Sequence, residues 1–163
     1  MSKSTEQLIV ILKKECEVYE EYMKIADEKT RLIIDKEIGS LDKMTIKEEK
    51  IIGEVSKIDR VRNLIIGNLL KEKNIHKVDK LEEIIQMVDK KYSKVLVDLK
   101  NRLEKILTEI KRLNDLNEKL INQSLDYIEF NVNLYTSLKN TQVVYKGNDR
   151  DEKYSNSFFD GKG

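Results

Sequence analysis

KKYSKVLVDLKNRLEKILTEIKRLNDLNEKLINQSLDYIEFNVNLYTSLKN, residues 90–140, decides the fold of this chain. Alternate steps of four and three residues from Tyr92 reach Leu96, Leu99, Leu103, Ile106, Ile110, Leu113, Asn117, Leu120, Ser124, Tyr127, Asn131, Leu134 and Leu138 without a break. An apolar period of about 3.5 residues marks a helix packed lengthwise on other helices. One of the two seam positions stays large at Leu99, Ile106, Leu113, Leu120, Tyr127 and Leu134, while the other turns polar at Asn117, Ser124 and Asn131. A polar seam residue lowers stability and specifies register or partner, because its hydrogen-bonding groups are costly to bury unpaired. Polar residues at successive heptads predict a first half that is bundle core and a second half whose face is only partly covered in the chain alone.

Working outward, composition agrees with long amphipathic helices. Of 163 residues, 39% are hydrophobic and 37% charged, and the absence of proline with only six glycines leaves little to interrupt a helix. The fold class is therefore all-α: an elongated antiparallel bundle or coiled coil of three long helices, with a short one between. A formal charge of +1, from 31 basic and 30 acidic side chains, gives no electrostatic footprint for nucleic acid. Cys16 is the only cysteine, which excludes an internal disulfide and fits a reducing compartment. The aliphatic run at residues 8–12 is too short for a signal-peptide core or a membrane span. These features predict a soluble, cytoplasmic protein without membrane insertion.

Taken in order, Ser4-Thr5-Glu6-Gln7 has the pattern of a capping box and predicts a first helix over 4–37, with a seam of Leu8, Leu12, Cys16, Tyr19, Met23, Ala26, Thr30 and Ile33. Cys16 lies in that seam and reads as a small buried hydrophobe rather than a reactive thiol. Gly39-Ser40 is the first break, with Ser40 offering a new N-cap. The second helix, 40–73, carries Leu41, Met44, Ile51, Val55, Ile58, Arg62, Ile65 and Leu69 on one face and folds back on the first. Asp79 caps a short helix over 79–88, which reads equally as the first turns of the long helix over 90–140. Residues 4–140 thus form the bundle domain and 141–163 a flexible tail, polar but studded with Tyr145, Tyr154, Phe158 and Phe159, the form that partner-docking anchors take.

The residues point away from an enzyme. No glycine-rich phosphate loop, metal-ligand spacing or nucleophile with a base is present, and the single His76 reads as a solvated loop residue, so no cofactor and no metal are expected.

At residues 113–127, LNDLNEKLINQSLDY, the chain resembles the C-terminal helix of the FlgN-type flagellar export chaperones, in which an Asn, a Leu-Leu or Leu-Ile pair and a Gln-Ser follow in this order. Ile58-Asp59-Arg60-Val61-Arg62 is similar to that family's second helix, including its seam arginine. The resemblance implies a cytoplasmic chaperone that binds the C-terminal helix of the hook-filament junction proteins FlgK and FlgL, prevents premature assembly and delivers them to the membrane export gate. On that basis Leu113, Asn117, Leu120, Ser124, Tyr127, Ile128, Asn131 and Leu134 are expected to receive the client helix in a helix-in-groove mode. Val144-Tyr145-Lys146-Gly147 resembles the tyrosine and glycine that follow the family's last helix, which implies docking of Tyr145 on the gate component FlhA. Two readings compete. In a homo-oligomeric scaffolding coiled coil, Asn117, Ser124 and Asn131 set register against their own copies by self-association; a helical adaptor of another secretion system has the same physical requirements.

Overall fold

The computed structural model describes residues 2–141, with side chains for 3–137. Four helices follow in order, α1 (Ser2–Ile34), α2 (Ile38–Glu72), α3 (Leu81–Met87) and α4 (Lys90–Thr141), and no strand occurs among the described residues. The expected helical bundle is present, and α3 is separate from α4 because Val88 is extended, with φ −84° and ψ 163°. The expected flexible tail beyond residue 141 lies outside the described residues. The chain divides into two compact units, Met1–Asn117 and Glu118–Gly163.

In the first unit α1 is the central element. Ser4 Oγ donates to Glu72 Oε1 at 2.5 Å, and Lys29 pairs with Glu48 at 3.1 Å, so α2 runs antiparallel to α1. Tyr92 OH donates to Glu6 at 3.0 Å, Arg102 Nε to Glu20 at 2.8 Å and Thr30 Oγ1 to Asn117 at 2.5 Å, so α4 runs parallel to α1. Arg102 was free by sequence to pair with Asp98 one turn away, but reaches across to α1 instead. Leu8, Leu12 and Cys16 of α1, Ile51, Ile58, Ile65 and Leu69 of α2, Ile84 of α3, and Leu96, Leu99, Ile106 and Ile110 of α4 make one core. Each fully buried aliphatic side chain contributes about 1.5–3 kcal/mol. The expected α1 seam is buried or half-buried throughout, yet α1 also buries Ser4, Thr5, Ile11, Glu15 and Val18. A helix flanked on two sides needs a wider stripe than one 3.5-residue seam supplies.

The helix ends depart from expectation. Ser4 is not an N-cap: α1 already runs through it, and its hydroxyl is spent on Glu72. Gly39 and Ser40 lie inside the first turn of α2 rather than at the break. The chain turns instead at Lys36, which holds the left-handed conformation with φ 59°. Lys36 N–H donates to Ile33 O at 3.2 Å and Glu37 N–H to Leu32 O at 3.0 Å, the two bonds of a Schellman closure made without glycine. Asn74, φ 55°, closes α2 in the same way, with Ile75 N–H donating to Leu70 O at 2.9 Å. Asp79 does not cap α3 with its side chain; Lys80 occupies the N-cap, and Asp79 N–H donates to Glu83 Oε2 at 3.1 Å.

Cys16 and Glu15 are neighbouring ionisable groups buried in the first unit. Cys16 is fully buried, its Sγ 3.8 Å from Leu99 O, and burial pushes its thiol up in pKa. Glu15 is 2% exposed and meets the seam residue Arg62 at 2.5 Å, while its Oε2 has no hydrogen-bond partner. Burial raises the Glu15 pKa; the Arg62 charge offsets part of the rise and the Asp59 charge adds to it. The folded state therefore holds the Glu15 proton more tightly than the unfolded chain does. This group favours folding most below the ordinary carboxylate range and loses that contribution as pH rises through its folded value.

Two outcomes are expected. Lys36→Gly removes the side-chain cost of the left-handed region and stabilises the fold by about 1 kcal/mol, seen as a melting temperature raised by about 2–4 °C; a fall in melting temperature contradicts the account of the turn. In urea titrations across pH, the stability of the unaltered protein minus that of Glu15→Gln should shrink as pH rises from about 4 to about 7. A growing difference would mean that Arg62 outweighs desolvation.

Candidate functional site

The seam of α4 holds its register into the core and changes character where the second unit begins. Leu113 and Asn117 are both buried in the first unit, Asn117 at 4% exposure. Asn117 is a satisfied amide: its Nδ2 donates to Ala26 O at 3.0 Å and its Oδ1 accepts from Thr30 Oγ1. Thr30 Oγ1 also lies 3.0 Å from Ala26 O, so its one hydrogen has two acceptors and favours the closer Asn117 oxygen. This pair of bonds fixes the register of α4 on α1, since a shift of one residue would strand both polar groups without water.

The second unit continues α4 as helix through Thr141. Ser124 Oγ donates back to Leu120 O at 3.0 Å and Thr136 Oγ1 to Val132 O at 2.7 Å, so both hydroxyls are satisfied within their own helix. Leu120 and Ser124 are half-buried, whereas Tyr127, Ile128, Asn131 and Leu134 are exposed. Of the eight expected receiving residues, six therefore lie together on this unit, and Leu113 and Asn117 serve the interior of the first. Phe130 is 61% exposed and Tyr135 72%, alongside Tyr127 at 57%. Large apolar and aromatic side chains are exposed more densely along this stretch than along α1 and α2, where Val10, Ile34, Ile38, Ile46, Ile52, Val61 and Leu64 are exposed.

Sequence reasoning from the seam missed Ile121, Leu125, Phe130, Val132 and Tyr135. Four of them were within reach, because Ile121, Leu125, Val132 and Tyr135 repeat the four-and-three spacing one residue further on. Among the described residues no group of three or more His, Cys, Asp or Glu side chains could hold a metal ion, and His76 is exposed. No helix of the described residues is long and apolar enough to cross a membrane. Tyr145, Tyr154, Phe158 and Phe159 lie outside the described residues.

The family model described as FlgN protein matches residues 1–152, and the chain belongs to the FlgN family. That family is one of flagellar export chaperones. No curated protein and no solved structure matches the chain.

The Asn117 lock makes a double-mutant cycle informative. Thr30→Val leaves the Asn117 oxygen unpaired and should cost about 1–3 kcal/mol, whereas Thr30→Val with Asn117→Leu should recover most of that loss. Additive losses in urea unfolding would show that the two side chains do not act as a unit.

Proposed function

We propose that this chain is a cytoplasmic export chaperone for the hook-filament junction proteins FlgK and FlgL, holding their C-terminal helix unassembled and delivering it to the export gate component FlhA. The supporting observation is the concentration of exposed Tyr127, Ile128 and Leu134 beside half-buried Leu120 in a member of a family of flagellar export chaperones. An amphipathic client helix would cover these side chains, and Ser124 and Asn131 would keep the empty face from being wholly apolar and aggregating. Leu113 and Asn117 support capture by holding α4 in register on α1. Tyr145 is proposed as the docking residue for FlhA, separate from the capture face.

The test is size-exclusion chromatography with light scattering on the full chain, alone and with FlgK or FlgL of the same organism. A stoichiometric complex is expected that disappears when the client's C-terminal helix is deleted. Leu120→Asp and Tyr127→Asp should each prevent the complex with helix content by circular dichroism nearly unchanged, while Tyr145→Ala should spare client binding and weaken binding to FlhA. A stable self-oligomer that ignores both clients would sink the proposal in favour of a scaffolding coiled coil.

A further inference from the structure

On the side away from its buried face, α2 carries a second stripe at alternate steps of three and four residues. Lys43, Lys50, Lys57, Leu64 and Lys71 occupy one of its two positions, and Ile46, Gly53, Arg60 and Gly67 the other. All of them are exposed except the half-buried Gly67. The stripe therefore holds five basic side chains and no acidic one, in a chain with 31 basic and 30 acidic residues. The acids of α2 lie off it. Glu48, Asp59 and Glu72 are engaged by Lys29, Arg62 and Ser4, while Asp42, Glu49 and Glu54 stand on the two flanks. Among the described residues no ion pair involves any of the five cations, whereas Lys29, Arg62, Lys100 and Arg102 are all paired. A face that needs only solvation is served by mixed charges such as the Asp27 and Arg31 pair of α1. Folding does not call for the α2 arrangement, since Lys57 and Arg60, three residues apart, repel each other.

The pattern of the stripe indicates what it meets. From Lys43 to Lys71 it runs about 42 Å along one helix at about 1.5 Å per residue, a straight crest of positive charge. A second copy laid on it would set lysine against lysine in either direction. Another protein helix would need apolar knobs at these positions, and the stripe offers Ile46 and Leu64 beside two glycines. A duplex nucleic acid taking α2 into its major groove would meet both flanks with its phosphates, and Asp42, Glu49 and Glu54 would repel them. A planar anionic surface touches the crest alone and leaves the flanking acids in water. At the surface of an anionic bilayer the lysine stems and the exposed Ile46 and Leu64 also leave water, which an acidic polypeptide does not offer them. Because no helix of the described residues can cross a membrane, α2 would lie on the surface rather than span it.

We infer that the outward stripe of α2, from Lys43 to Lys71, docks the chain on an anionic lipid surface, independently of client capture. Clusters of four to eight basic side chains on a helix bind anionic leaflets reversibly, each strengthening binding by about fivefold. Co-sedimentation of the full chain with vesicles tests this, with helix content and melting temperature checked for every variant. At about 100 mM salt, where the Debye length is about 10 Å, the chain should bind vesicles of equal parts phosphatidylcholine and phosphatidylglycerol and leave pure phosphatidylcholine vesicles in suspension alone. Lys57→Glu/Arg60→Glu should weaken binding by about twentyfold or more, and about 1 M salt should release the unaltered chain. Lys94→Glu/Lys105→Glu on α4 makes the same change in net charge at exposed, unpaired lysines off the stripe and should weaken binding by less than about threefold. Failure to bind the anionic vesicles, equal binding to both kinds, or equal weakening by the two double variants overturns the inference. Tighter binding of the unaltered chain to mixed-sequence duplex DNA or to polyglutamate than to the anionic vesicles would assign the stripe to a macromolecule and likewise overturn it.

Discussion

An amide buried in a helical bundle has no water to turn to, and Asn117 finds both of its partners on α1. Its two hydrogen bonds to Ala26 and Thr30 hold α4 in one register, because any other would leave a donor and an acceptor unpaired in the core. Apolar seams alone are forgiving of slippage, since Leu99, Ile106 and Leu113 are interchangeable in kind. The polar lock is what makes one alignment cheaper than the next. Glu15 and Arg62 do a comparable job between α1 and α2, at the cost of a carboxylate that burial disfavours. α1 is thus the element both neighbours read, and its wide buried stripe results from having two of them.

Beyond Asn117, α4 has a different composition. Up to that residue the seam is large and mostly buried, with Tyr92 and Leu103 half-buried; from Leu120 to Leu134 the side chains at the same spacing are half-buried or exposed and alternate between polar and apolar. A second line turns apolar over the same stretch. Neither change helps the first unit fold. Both make sense in a member of the FlgN family if residues 118–137 are kept for a helix that arrives from elsewhere. A face that must stay free of aggregates when empty, yet bind when a client is present, is well served by a facet that mixes polar and apolar side chains.

Much of this was legible before any coordinates. The four-and-three spacing picked out Leu96, Leu99, Ile106, Ile110 and Leu113 as core, and the α2 face from Met44 to Leu69, because helix periodicity records which side must leave water. The termini were not legible. Ser4 and Ser40 carry the composition of caps, but capping is a local preference of about 1 kcal/mol, and packing of α1 on α2 outweighs it. The turn at Lys36 was invisible for a related reason: a lysine in the left-handed region is disfavoured locally and tolerated only because the Schellman bonds and the docking of α2 require a turn there. The partner of Arg62 was likewise hidden, since Glu15 looks like any other acid of a solvated helix face until α2 is laid against it. In the candidate site, a single seam named Tyr127 and Leu134, while of the neighbouring line through Leu125, Ile128 and Val132 only Ile128 was named. A helix with one facet needs one period; this stretch has two.

The most direct measurement is hydrogen exchange by mass spectrometry on the full chain with and without FlgK. Capture on the second unit predicts that amides of residues 118–137 gain protection when the client is present, while those of α1 and α2 keep the protection they already have. Protection gained instead along α1 and α2, with residues 118–137 unchanged, would contradict the account and place the binding surface on the bundle.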